Sequence, residues 1–152
     1  MMVKNKIVVE ILLVEDNPAD VRLTIEALKE AKISNTLNVA GDGIEAMCFL
    51  RKEGKYADAV RPGLILLDLN LPKKGGLEVL SEIKGDDSLR DIPIVVLTTS
   101  SAEKDIVEAY DRDVNAFITK PVDLNDFVNV LTEMEEIWIS NVRLRPDRDE
   151  DL

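Results

Sequence analysis

The chain has 152 residues, 45% of them hydrophobic, a formal net charge of −11 and no histidine. That length suits one domain with a buried core, and the acidic balance argues against direct contact with nucleic-acid phosphates. The missing histidine excludes a Ser-His-Asp triad and a histidine-ligated metal, and a single cysteine, Cys48, excludes an internal disulfide and a cysteine zinc site.

Residues 1–7 read as an N-terminal arm, 8–141 as one domain and 142–152 as an acidic tail. The arm carries lysines but no small-residue cleavage site, so it reads as the approach to a first strand rather than a signal peptide. No apolar stretch approaches the roughly 18 residues that span a bilayer, and the expected location is cytoplasmic.

Strand and helix patterns then alternate. Val8 to Val14 is an apolar run broken only by Glu10, as a buried parallel strand requires. Asp16-Asn17-Pro18 is a polar cap followed by proline, a helix start, and Val21, Ile25 and Leu28 recur at helical spacing. Thr36 to Ala40 predicts a second strand and Gly41-Asp42-Gly43 a turn. Ile44, Met47 and Leu50 predict a helical stripe, with Cys48 beside it as a buried, inert thiol. Leu64 to Leu67 is apolar on both faces, which predicts a central strand ended by Asp68. Leu71 to Gly76 reads as a loop, and Val79, Leu80 and Ile83 mark a helix. Ile94 to Leu97 is a fourth strand, Ser101 to Tyr110 a helix, and Ala116 to Thr119 a fifth strand stopped by Lys120-Pro121. Leu124, Phe127, Val128, Leu131, Met134 and Trp138 hold one face of a last helix. Its apolar end at Ile137, Trp138 and Ile139 is a candidate homodimer face.

Five β–α units predict an α/β fold with a single doubly wound parallel sheet of order 2-1-3-4-5, flavodoxin-like. In such a sheet ligands bind beyond the carboxyl ends of the strands, where the strand order reverses. Glu15 and Asp16 follow strand one and Asp68 ends strand three, so three carboxylates converge there. Thr98 and Lys120 end strands four and five on the same edge. Each has a bland alternative: a helix N-cap for Asp16, a solvated loop acid for Glu15, a turn cap for Asp68, a backbone-satisfying hydroxyl for Thr98 and a surface cation for Lys120. Together they carry more. Three acids at one edge repel one another unless a cation lies among them. An all-oxygen set suits a hard ion such as Mg²⁺. A lysine and a hydroxyl beside that ion suit a phosphoryl group. The chain has no GxxxxGK or GxGxxG phosphate loop, so the phosphoryl donor comes from elsewhere.

Glu15-Asp16, the Leu64–Leu67 strand ended by Asp68, Leu71-Pro72 with Gly76, Val96-Leu97-Thr98 and Lys120-Pro121 together resemble a response-regulator receiver domain of two-component signalling, with its CheY-like fold. The resemblance runs from Val8 to Ile139. The stretches 15–20, 68–74 and 97–100 are similar to a group of stand-alone receivers that includes the cyanobacterial phytochrome response regulators.

This resemblance implies a phosphoacceptor switch rather than an enzyme. Asp68 takes the phosphoryl group from a sensor histidine kinase, such as a phytochrome-like one, or from a phosphotransfer protein. Asp16, Asp68 and the Asn70 backbone carbonyl bind Mg²⁺, and Glu15 acts through a metal-bound water. Lys120 pairs with Asp68 and then with the phosphoryl oxygens. Thr98 swings inward, and Phe117 is the aromatic whose rotamer follows. The Lys120-Pro121 peptide is cis. Thr99 replaces a smaller residue and crowds the site. Output passes to a downstream protein by phosphorylation-dependent docking. Two alternatives remain: a dehalogenase-type phosphatase, whose second aspartate is here Asn70, and a receiver that is never phosphorylated, although such proteins usually lose an acid or the lysine.

Overall fold

The computed structural model describes residues 8–99 and 114–144, with side chains through 137. Five strands form one parallel sheet: β1 (Val9–Val14), β2 (Asn35–Ala40), β3 (Leu64–Asp68), β4 (Ile94–Thr98) and β5 (Ala116–Thr119), in the order β2-β1-β3-β4-β5. The helices are α1 (Pro18–Glu30), α2 (Gly43–Leu50), α3 (Gly76–Lys84) and α4 (Leu124–Leu144), with a 3₁₀ turn at Gly54–Tyr56. The helix expected at Ser101 to Tyr110 lies outside the described residues.

The apolar runs explain the strand order. Every residue of β3 and β4 is buried, as interior parallel strands covered on both sides must be. The edge strand β2 is mostly half-buried and keeps Thr36 and Val39 exposed. Parallel pairing places Leu13 opposite Leu66, and Leu66 opposite Val95, so one pleat face runs unbroken across the centre of the sheet.

Successive side chains point to opposite faces, and each face has its own core. Leu12, Val14, Ile65, Leu67, Ile94 and Val96 pack with Met47, Phe49 and Leu50 of α2 and Val79, Leu80 and Ile83 of α3. Ile11, Leu13, Leu64, Leu66, Val95 and Leu97 pack with Ala27 and Leu28 of α1 and Phe127, Leu131 and Met134 of α4. The last-helix stripe is therefore core packing as far as Met134. Ile137 is 42% exposed, and the Trp138 and Ile139 side chains lie outside the description.

Four local expectations need correction. The N-cap of α1 is Asn17, whose side chain accepts from the Ala19 N–H at 2.9 Å, so Asp16 is not the cap. Gly41-Asp42-Gly43 is not a simple turn: Asp42 caps α2, which begins at Gly43. A Cβ on Gly43 would collide with the Lys74 carbonyl oxygen, because the helix start abuts the loop after β3. Ile44, the second residue of the helix, is 51% exposed and falls outside the apolar stripe that Met47 and Leu50 share. Cys48 is half-buried rather than buried.

Candidate functional site: an acidic cluster at the carboxyl edge of the sheet

The strand ends assemble the site. β1 and β3 are neighbours, so the residues after β1 and at the end of β3 meet at the point where strand order reverses. Glu15 is tied to the end of β2 by a hydrogen bond from its N–H to the Ala40 carbonyl at 2.9 Å. The Leu69 N–H donates to the Leu97 carbonyl at 2.9 Å, and the Lys120 N–H donates to the Thr98 carbonyl at 2.8 Å. These ladder bonds align Asp68, Thr98 and Lys120 along one edge. Gly76 closes it from α3: a Cβ there would collide with Leu69 Cα and the Asp68 carbonyl oxygen, so only glycine lets the helix start this near the end of β3. The Lys120-Pro121 peptide is cis.

Asp68 and Glu15 are each 2% exposed, whereas Asp16 is exposed. Glu15 is thus not the solvated loop acid of its bland reading. The three carboxylates each offer an oxygen, and these oxygens lie within 4.8 Å of one another. Asp68 Oδ1 accepts from the Asn70 N–H at 2.9 Å, so the turn-cap reading of Asp68 also holds, but it uses only one oxygen. Asp68 Oδ2 faces Lys120 Nζ at 3.0 Å. The same ammonium lies 3.0 and 3.2 Å from the two Glu15 oxygens and 2.9 Å from Asp20 Oδ2. Lys120 is no free surface cation, with its side chain only 12% exposed.

Electrostatics follow from this crowding. Burial pushes the Glu15 carboxyl up to about 7, opposed by the Lys120 hydrogen bond and reinforced by Asp68. Burial alone would lower the Lys120 pKa, but hydrogen bonds to Asp20, Glu15 and Asp68 outweigh it and raise the pKa above the ordinary lysine range. The donor set is all oxygen, two of its members are buried, and exposed Asp16 leaves an entry side. That set fits a hard divalent cation.

Thr98 is 1% exposed at the end of β4. Phe117 pairs in register with Val96, two residues before Thr98, so Phe117 and Thr98 share one face of the sheet. Phe117 is half-buried and packs on the α2–α3 core. Beyond Asp68, the Asn70 side-chain amide donates to Thr99 Oγ1 at 3.0 Å.

Sequence reasoning missed Asp20 as a site residue. Its only signal was an acid in the first turn of α1, one turn after Asp16, which reads as an ordinary helix-dipole partner.

The chain matches the response regulator receiver domain family over residues 11–132. Response regulator Rcp1 from Synechocystis sp. is 48% identical over 134 residues, 88% of this chain and 91% of Rcp1. The crystal structure of the phosphorylated cyanobacterial phytochrome response regulator RcpA is 52% identical, with a TM-score of 0.74 over 88% of this chain and 95% of that one. The Mn²⁺-bound form of Rcp1 is 48% identical, with a TM-score of 0.73 over 86% of this chain and 94% of that one. Among the described residues no helix is long and apolar enough to cross a membrane. The convergent acids, the lysine and threonine on their strand ends and these likenesses agree: the chain belongs to the response-regulator receiver family of two-component signalling.

Proposed function

We propose that Asp68 is the phosphoacceptor of this receiver. A carboxylate oxygen of Asp68 forms a bond to phosphorus as the P–N bond of a phosphohistidine breaks, and the imidazole leaves with the electron pair. The observation that carries this reading is the placement of Asp68. It is buried at the end of a central strand, within 4.8 Å of two other acids and 3.0 Å from an ammonium.

Each neighbour takes a role that its position supports. Lys120 passes from Asp68 Oδ2 to the phosphoryl oxygens. Thr98 donates its hydroxyl to the same group, and Phe117 on the shared sheet face follows that movement. Asp16, Asp68 and the Asn70 backbone carbonyl hold Mg²⁺, and Glu15, engaged by Lys120, acts through a water. The ion supplies charge neutralisation between the acids and the incoming phosphoryl oxygens. On this reading the chain is a cytoplasmic switch, not an enzyme with a separate substrate, and it signals by docking on a downstream protein. The likeness to the cyanobacterial phytochrome response regulator RcpA extends the proposal to a phytochrome-type histidine kinase as donor.

The test is acetyl phosphate with Mg²⁺, read by intact mass. Wild type should gain one phosphoryl group and Asp68→Asn none, because an amide keeps the shape but is a poor nucleophile. Stable, stoichiometric phosphorylation of Asp68→Asn would overturn the assignment.

A further inference from the structure

We propose that Asp20 is a positioning residue for phosphoryl transfer: it holds the Lys120 ammonium at the rim of the site while Asp68 changes from carboxylate to acyl phosphate. The inference rests on Asp68 being the phosphoacceptor.

A lysine ammonium has three N–H donors and no acceptor. Here it meets three carboxylates, with Asp20 Oδ2 at 2.9 Å, Glu15 Oε1 at 3.0 Å and Asp68 Oδ2 at 3.0 Å. Two of the three also belong to the cluster whose oxygens converge within 4.8 Å. Asp20 does not. Its side chain is 26% exposed, at the outer side of the group. When an Asp68 oxygen bonds to phosphorus, and the donor's bond to phosphorus breaks with its electrons leaving on the donor, the Asp68 carboxylate charge disappears. The negative charge then lies farther out, on the phosphoryl oxygens. Lys120 must follow it. Glu15 pulls the ammonium inward, since that side chain is buried. Asp20 is the one carboxylate of the three that is neither in the converging cluster nor altered by the reaction.

The anchor is rigid. Asp20 lies in the first turn of α1, which Asn17 caps and Pro18 opens. Its carbonyl accepts from the Thr24 hydroxyl at 2.8 Å. Ala27 and Leu28 of the same helix pack in one core with Phe127 and Leu131 of α4. Lys120, by contrast, is a point charge on a flexible four-carbon stem that loses much rotamer freedom when fixed. A helix-borne partner 100 residues away in sequence restricts that stem before the phosphoryl group arrives. The competing account makes Asp20 only a helix-dipole acid. That account requires no contact with Lys120 and predicts effects independent of it.

A double-mutant cycle with a second, metal-free readout decides between them. Asp20→Asn should slow phosphorylation by acetyl phosphate at saturating Mg²⁺ by roughly fivefold, within the couplings seen for groups in one ion-pair network. The same change in a Lys120→Ala background should cause no further loss. In metal-free protein the Lys120 ammonium should give a slowly exchanging N–H signal by ¹⁵N NMR. Asp20→Asn should broaden that signal away, and Asp20→Glu, which keeps the charge, should restore part of it. Equal slowing with and without Lys120, or an unchanged rate and ammonium signal in Asp20→Asn, would overturn the proposal. Were wild type not phosphorylated on Asp68 at all, the phosphoacceptor assignment would fall, while the metal-free signal would still report the Asp20–Lys120 contact.

Discussion

Two charged regions of this molecule are built on opposite principles. At the carboxyl edge of the sheet, three carboxylates share the Lys120 ammonium, and Asp16 stands beside them. Along α2, the 3₁₀ turn and α3, acids and their partners are matched more evenly. Lys73 lies 3.5 Å from Asp42, Arg51 lies 3.2 Å from Glu82, Lys74 also binds Glu82, and Tyr56 donates to Glu45. The pKa values record the contrast. Burial pushes Glu15 up to about 7. On the other side, a backbone N–H lowers Asp42, the Tyr56 hydroxyl lowers Glu45 and Lys74 lowers Glu82. Tyr56 itself is pushed up to about 12 by its bond to Glu45. A saturated network stabilises one structure. An acid-rich one keeps affinity for a further cation and for a rearrangement of the cation it already has.

Removing Lys120 is the largest test of that contrast. Lys120→Ala leaves buried Glu15 and Asp68 without their shared cation, which should cost the metal-free protein about 3 kcal/mol in urea unfolding. Mg²⁺ should restore most of the loss, and Mg²⁺ affinity by calorimetry should be unchanged or higher, since a competing cation is gone. A loss that Mg²⁺ does not recover would mean that Lys120 organises the edge in another way.

The regions should also respond to pH with opposite signs. Glu15 has a folded pKa raised from 4.5 to about 7 and is faced by Asp68 and Lys120. The folded metal-free protein therefore binds a proton there more readily than the unfolded chain does. Its contribution is most favourable at low pH and is lost as pH rises from 4.5 to about 7. Asp42, Glu45 and Glu82 have lowered values, so their contribution is present above the ordinary carboxylate range and is lost as pH falls through their folded values. Urea unfolding in chelator should show a decline between these limits that Glu15→Gln removes. A decline that persists in Glu15→Gln would assign it to another group.

How far the sequence alone reaches follows the same division. The sheet was legible because β3 and β4 are continuous apolar runs, short enough and bounded closely enough by proline and glycine to be interior parallel strands rather than helices. The convergence of Glu15, Asp16, Asp68, Thr98 and Lys120 on one edge followed from strand order. What was not legible depends on side-chain direction. Ile44 has the spacing of a core residue but lies exposed in the first turn of its helix. Asn17, not its neighbour Asp16, turns back to cap α1. Asp20 meets Lys120 only because α1 and the end of β5 approach in space, which no local pattern encodes.

In the matched region single changes should be small. Tyr56→Phe removes one hydrogen bond to the half-buried Glu45 and should cost about 1 kcal/mol of stability. Its Mg²⁺ affinity and phosphorylation rate should equal those of wild type. A change in either by calorimetry or intact mass would show that the two regions are coupled through the loop between β3 and α3.

The smallest effect concerns the lifetime of the phosphoryl group. The Asn70 N–H already caps Asp68 Oδ1 at 2.9 Å, and the Asn70 amide reaches across to Thr99 Oγ1 at 3.0 Å. Thr99 therefore stands beside the Asp68 turn instead of packing away from it. Its β-branched side chain is stiff at χ1 and exposed, so with a phosphoryl group on Asp68 the bridge and the methyl group would both narrow the path of an attacking water. Hydrolysis needs that water in line with the breaking bond, and crowding raises its barrier. Thr99→Ala should lose its phosphoryl group roughly threefold faster, about 0.7 kcal/mol of barrier. Thr99→Ser divides the cause, since it keeps the acceptor for Asn70 and loses only the methyl. Decay at the wild-type rate in Thr99→Ser would assign the effect to the bridge, and decay as fast as in Thr99→Ala would assign it to the methyl. Equal or slower decay in Thr99→Ala, measured on purified phosphorylated proteins at fixed Mg²⁺, would remove Thr99 from the control of lifetime and leave the water path to Asn70 and the strand ends.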